Sequence, residues 1–178
     1  LGLKKQIYDY VDIRRQLDGA FLLIMGTEVL NEIFRNLLLL YHALDIVDNV
    51  FLCGNMAAVF QSAAASSNVK EFRDVQMVIP RILHKARLKK VTLGQVTDSY
   101  ATKDPSNPDE EPRTVHMESS LPRGYTRCDM GPVSLTNLTS AIRASRLIVL
   151  CGTTGSVQYE HHQRGTKGRL ASSERDQR

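Results

Sequence analysis

Short continuous apolar runs alternate along this chain with stretches whose apolar residues recur three and four apart, the pattern of buried strands separated by amphipathic helices. LKKQIYDYVDIRRQL puts Leu3, Ile7, Tyr10, Val11 and Leu17 near one face and Lys4, Lys5, Arg14 and Arg15 largely off it, which predicts a first helix. AFLLIM follows as a strand of the kind buried on both faces. The chain then turns at Gly26 into a helix predicted from Glu28 to about Leu44, with Val29, Ile33 and Leu37 on its apolar side. NVFLCG predicts a second strand ending at glycine, NMAAVFQSAAA a small-residue helix, and EFRDVQMVIPRILHKARLKK a longer helix that Pro80 should kink or break.

KVTLGQV predicts a third strand, and TKDPSNPDEEPR, with its prolines and acidic cluster, an exposed loop. TVHME reads as a short strand and GYTRCDMGP as a strand or loop ending at Gly131, with Pro132 suited to the first turn of the helix VSLTNLTSAIRAS. RLIVLCGTTG supplies the last strand and a glycine-bearing loop. Residues 161–178 have no apolar periodicity and are expected to be a flexible or partner-bound tail to a domain over residues 1–160. Strands alternating with helices imply an α/β fold, a mostly parallel sheet with helices on both faces. Ligands of such sheets sit beyond the carboxyl ends of the strands, and Gly26, Gly54, Gly152 and Gly155 gather at that rim. Taken alone, these glycines need be no more than tight turns.

At 178 residues and 42% hydrophobic, the chain suffices for one domain with a real core and not for two. No apolar run approaches the roughly 20 residues of a membrane span; the richest, NLLLLYHALDIV, is interrupted by Tyr41, His42 and Asp45. Cys53, Cys128 and Cys151 form no C-x-x-C pair, and their odd number argues for a reducing, intracellular compartment, with the cytoplasm expected. Of the net charge of +4, residues 161–178 carry +3, so the body is near neutral and the basic character belongs to the tail. Such a tail suits contact with nucleic acid, an anionic surface or another protein. Tyr159, at its edge, is the one aromatic available for base stacking, which does not point to specific single-strand recognition. The start at Leu1, with residues 1–20 unlike a secretory signal, leads us to expect a processed chain or part of a longer one.

FLLIMGTEVLNEI, FLCGNMAAVF, CDMGPVSL and LIVLCGTTGSVQYE together resemble the carboxy-terminal, nucleotide-binding domain of phosphoglycerate kinase. That family carries, in the same order, patterns close to F-L-A-I-L-G-G-A-K-V-x-D-K-I, I-G-G-G-M-A-x-T-F, L-D-I-G-P and I-V-W-N-G-P-x-G-V-F-E. The resemblance covers approximately Lys4 to Glu160 and implies a Rossmann-like α/β domain that, in the family, binds nucleotide phosphates.

The departures fall on the chemistry. Gly26 keeps the first glycine and Thr27 stands for the small pair that follows, while Glu28 and Glu32 fall on two lysines that in the family neutralise phosphates. One carboxylate about 4 Å from a phosphate charge costs roughly 4 kcal/mol at an effective dielectric of 20. Gly54 and Met56 remain beside the implied adenine pocket, with Cys53 and Asn55 replacing glycines. Cys151 replaces an asparagine, Thr153 a proline and Gln158 the glutamate implied to hold the ribose, while Gly152 and Gly155 survive. Asp129, Gly131 and Pro132 are intact, with the structural role of ending a strand and starting a helix. The family's closing G-G-G-D-[ST] loop has no counterpart after Glu160, and its phosphoglycerate-binding half is not in this sequence.

The resemblance with these departures leads us to expect a degenerate, catalytically inactive relative, a structural or assembly subunit with protein partners and neither cofactor nor metal. An alternative is a fragment of an active homologue, an ATP-dependent phosphotransferase of glycolysis that binds Mg-ADP or Mg-ATP. A third reading keeps adenosine or another uncharged ligand at Gly54, Met56 and Gly152. Glu28 and Glu32 could chelate a metal, but an i, i+4 carboxylate pair is more often a solvated face complementing the helix dipole. Cys53 and Cys151 read as small apolar residues, His161 and His162 as part of the tail, and His42, His84 and His116 as isolated side chains.

Overall fold

A computed structural model describes residues 18–27, 30–64, 73–155 and 158–163. The predicted first helix, together with Glu28, Val29 and residues 164–178 of the tail, lies outside the described residues.

Strand β1 (Phe21–Met25) is buried at every position, so something packs on each of its faces. It runs parallel to β2 (Asn49–Leu52) on one side and to β7 (Leu147–Cys151) on the other, and β3 (Thr92–Gln95) flanks β2. The order of this four-stranded parallel sheet is β3-β2-β1-β7. Each β1 side chain removed from water contributes about 1.5–3 kcal/mol, which places the most hydrophobic run of the chain at the sheet's centre. Helix α1 (Ile33–Ala43), entered through a 3-10 turn over Leu30–Glu32, returns the chain from β1 to β2. Helix α2 (Gly54–Ala64) leaves β2, and α3 (Arg73–Lys89) packs against both α1 and α2 before leading to β3.

The break expected at Pro80 does not occur, because α3 continues through it. Val75, Ile79, Ile82 and Ala86 are buried at helical spacing while Pro80 is exposed. Burial of those side chains outweighs the roughly 3 kcal/mol cost of an interior proline.

The chain between β3 and β7 does not extend the parallel sheet; it builds a second, antiparallel one in the order β5-β4-β6, from β4 (Asp98–Thr102), β5 (Arg113–His116) and β6 (Thr126–Met130). TVHME and YTRCDM therefore contribute the antiparallel partners on either side of a central strand, DSYAT, that hydrophobic patterning does not reveal. Its register against β6 shifts between Tyr100 and Ala101, which pair with Asp129 and Arg127 and leave Cys128 as the bulged residue. Helix α4 (Pro132–Arg143) follows β6 at once and returns the chain to the parallel sheet as β7.

Candidate functional site

The carboxyl ends of β1, β2 and β7 meet in three connections that lock together through their backbones. Gly26 donates its N–H to the Cys151 carbonyl at 2.9 Å, Cys53 to that of Met25 at 2.8 Å, and Asn55 to that of Thr27 at 3.1 Å. A Cβ on Gly26 would stand 1.9 Å from the Thr153 carbonyl oxygen, and one on Gly152 2.0 Å from that of Gly26. Gly152 also has φ of +80°, which a side chain rarely tolerates. These two glycines thus serve backbone-on-backbone packing between loops.

Beside the locked loops, the parallel sheet and the antiparallel sheet enclose a cavity of about 260 Å³. Thr27, Gly54, Asn55 and Ala58 line it from the first side, Ser99, Met117, Arg127 and Asp129 from the second, and Thr154 with Gly155 from the β7 loop. Arg127 is the cation of this lining. Its Nε donates to Ser99 Oγ at 3.1 Å, and its Nη2 to the carbonyls of His116, Met117 and Ser119 at 3.1, 3.2 and 3.1 Å. Burial pushes its pKa down, yet a guanidinium stays charged at any physiological pH. Asp129 is buried, accepts the Met130 N–H at 2.8 Å, and is approached so closely by Gly155 that a Cβ there would come 2.5 Å from its Oδ1.

Behind the cavity wall, Asp98 closes the start of α4. Its Oδ2 accepts the Val133 N–H at 3.1 Å and its Oδ1 the Ser134 N–H at 2.8 Å, with the Ser134 hydroxyl also on Oδ1. A Cβ on Gly131 would meet Asp98 Oδ2 at 2.3 Å, so a glycine there is what lets the carboxylate reach the helix. The first amides of α4, otherwise a ready anion site, are already committed.

The thiols offer little chemistry. Cys53 is fully buried; desolvation pushes the Cys128 thiol up to about 11, and Cys151 is raised by the same cause. Among the described residues no three His, Cys, Asp or Glu side chains gather as a metal site, and no helix is long and apolar enough to cross a membrane.

The family model of phosphoglycerate kinase matches residues 4–177. The chain belongs to the phosphoglycerate kinase family. It is 29% identical over 171 residues to the phosphoglycerate kinase of Helicobacter hepaticus, covering 93% of this chain and 40% of that protein. The corresponding figures for that of Pelotomaculum thermopropionicum are 29% over 130 residues, 72% and 33%. In fold it matches phosphoglycerate kinase from Coxiella burnetii with a TM-score of 0.71 at 20% identity, over 94% of this chain and 43% of that one. The enzyme from Pyrococcus horikoshii matches at 0.65 and 16%, over 95% and 42%. The chain therefore spans about 40% of the length of a curated relative that it matches along most of its own.

Of the positions that the phosphoglycerate kinase resemblance singled out, the structure brings Thr27, Gly54, Asn55, Asp129 and Gly155 to the cavity. Gly26, Cys151 and Gly152 form the loop interlock instead. Met56, expected beside an adenine pocket, is fully buried in the core and does not line the cavity, because it faces inward from the first turn of α2. Gln158 is exposed. Glu28 lies outside the described residues, whereas Glu32 closes the 3-10 turn and pairs with Arg35 at 2.8 Å. Gly131 and Pro132 do start α4 as expected; Asp129, expected to be structural, also faces the cavity.

His161 and His162, assigned to the tail from sequence, sit in a 3-10 turn over Glu160–His162. His162 is buried, and His161 Nε2 lies 3.0 Å from the Pro105 carbonyl. Sequence reasoning missed Arg127, Ser99 and Asp98.

Proposed function

We propose that this chain is a catalytically silent member of the phosphoglycerate kinase family that serves as a structural or assembly subunit of a larger protein complex. The charge in the segment between β1 and α1 carries this reading. Glu32 stands where the family resemblance implies a phosphate-neutralising lysine, and its carboxylate holds the nearby Arg35 in an ion pair. Sequence places Glu28 at the second such position. Phosphoryl transfer rests on positioning and charge stabilisation, and a carboxylate opposes the second. Two further features support it: the glycine loops are packed against one another, and Asp98 occupies the first amides of α4. Purified protein given Mg-ADP and a phosphorylated glycerate donor should form no ATP above background. Turnover that scales with protein and disappears with Glu32→Ala or Gly26→Val would overturn the reading.

The coverage of about 40% of a curated relative favours a second reading, that the chain is a segment of a longer, active ATP-dependent phosphotransferase. The size of the endogenous protein separates the two. A mass near 20.0 kDa counts against the longer enzyme, and a species of more than twice that mass supports it.

A further inference from the structure

We propose that the cavity between the two sheets binds a small oxyanion, a carboxylate or a phosphate, through the guanidinium of Arg127. The inference goes beyond catalytic silence and does not depend on it.

Arg127 is held in place before any ligand arrives. The carbonyls of His116 at the end of β5 and of Met117 and Ser119 after it hold Nη2 and Ser99 Oγ holds Nε, while Nη1 donates to no described residue. Carbonyl dipoles fix the fork but bring no net charge, and Arg127 has no carboxylate partner among the described residues. A partly buried guanidinium that meets no carboxylate among the described residues, with Nε and Nη2 already bonded, keeps Nη1 for a charge-assisted hydrogen bond to a carboxylate or phosphate.

The surroundings define the size and shape of the ligand. Thr27, Asn55, Ser99 and Thr154 make the lining polar beside Arg127, and Ala58 and Val96 add apolar surface. At about 260 Å³ the cavity falls just short of the roughly 300–1,000 Å³ of sites for drug-sized ligands. A small anion fits that space better than a whole nucleotide. Asp129 is the opposing charge of the lining; the Met130 amide and the Gly155 backbone lie against its carboxylate and shield it, so it limits the ligand to low charge without barring it. Glu32, by contrast, is not among the lining residues, and its charge is matched by Arg35.

The test is an amide-resolved NMR titration of the full chain with inorganic phosphate and, separately, with acetate, at constant ionic strength. Saturable shifts at Asn55, Ser99 and Thr154 with at least one of the two are expected, and which one saturates identifies the anion. Arg127→Gln should weaken that binding at least tenfold. Because Arg127 also ties β6 to the neighbouring turn, Ala58→Leu provides a second variant that fills the cavity from α2 and leaves every Arg127 hydrogen bond in place; it should abolish saturation too. Linear shifts spread over surface lysines with both anions would overturn the proposal, as would saturable binding that survives Ala58→Leu.

Discussion

Replacing Asp98 by alanine tests the tie between β4 and the start of α4. The carboxylate is 1% exposed and accepts the N–H groups of Val133 at 3.1 Å and Ser134 at 2.8 Å. The Ser134 hydroxyl loses Oδ1 as well, but the Asp98 backbone carbonyl at 3.1 Å remains as an acceptor, so two amides are left without partners. Hydrogen bonds to a charged acceptor contribute about 1.5–3 kcal/mol each, and loss of an N-cap costs about 0.5–2 kcal/mol. Relief from burying the carboxylate offsets part of this, which leaves a net loss of about 3 kcal/mol. For a chain of this length that corresponds to a Tm lower by about 6–12 °C. Asp98→Asn, which keeps one acceptor oxygen, should lose about half as much. Urea and thermal unfolding followed by circular dichroism measure both. A loss below about 1 kcal/mol for Asp98→Ala would refute the reasoning. Water would then satisfy those amides readily, and the start of α4 would have been open to an anion after all.

Gly124 and Gly152 share nearly the same φ, +81° and +80°, but a Cβ at Gly124 meets nothing within 4 Å while one at Gly152 meets the Gly26 carbonyl at 2.0 Å. Alanine at Gly124 should cost about 1 kcal/mol and at Gly152 several times that; equal losses in chemical denaturation would contradict the interlock. Lys90 ends α3 with φ of 58°, its neighbour Val91 donating back to Ala86 at 2.9 Å, so Lys90→Gly should raise stability by about 0.5–1 kcal/mol, and a drop would count against this helix end. Glu110 accepts the Lys103 and Asp104 amides at 2.8 and 2.9 Å, and these bonds, that of Lys103 foremost, with the Thr102 hydroxyl, hold its carboxyl down to about 2. A depressed folded-state pKa gives stability that is full above the ordinary carboxylate range and lost as pH falls through the folded value, so loop order should persist to about pH 2. A carboxyl NMR titration with its midpoint above 4 would rule out this loop geometry.

The parallel sheet was legible because β1, β7 and most of β2 are continuously apolar. FLLIM and NVFL are buried nearly throughout, and the glycines that follow them mark the rim where the loops lock. The antiparallel sheet was not. DSYAT buries Asp98, Ser99 and Thr102 by hydrogen bonding and packing, which leaves no apolar alternation to find. Pro80 misled for a related reason: local propensity weighs one residue, while packing along α3 weighs a whole face. The candidate site was legible in part. Gly54, Asn55 and Thr27 were found through motif spacing, but Arg127 reaches the cavity only through the pairing of β6 with β4, and a single arginine in GYTRCDM carries no sign of three carbonyl partners waiting across a turn.

The most direct test of catalytic silence is calorimetric titration of the native chain with Mg-ADP, beside a variant carrying Glu28→Lys and Glu32→Lys. The account predicts no binding heat from the native chain and a measurable gain in the variant, because the substitutions restore positive charge where the family places it. Micromolar binding by the native chain, unchanged in the variant, would contradict the account and show that other groups hold the phosphates.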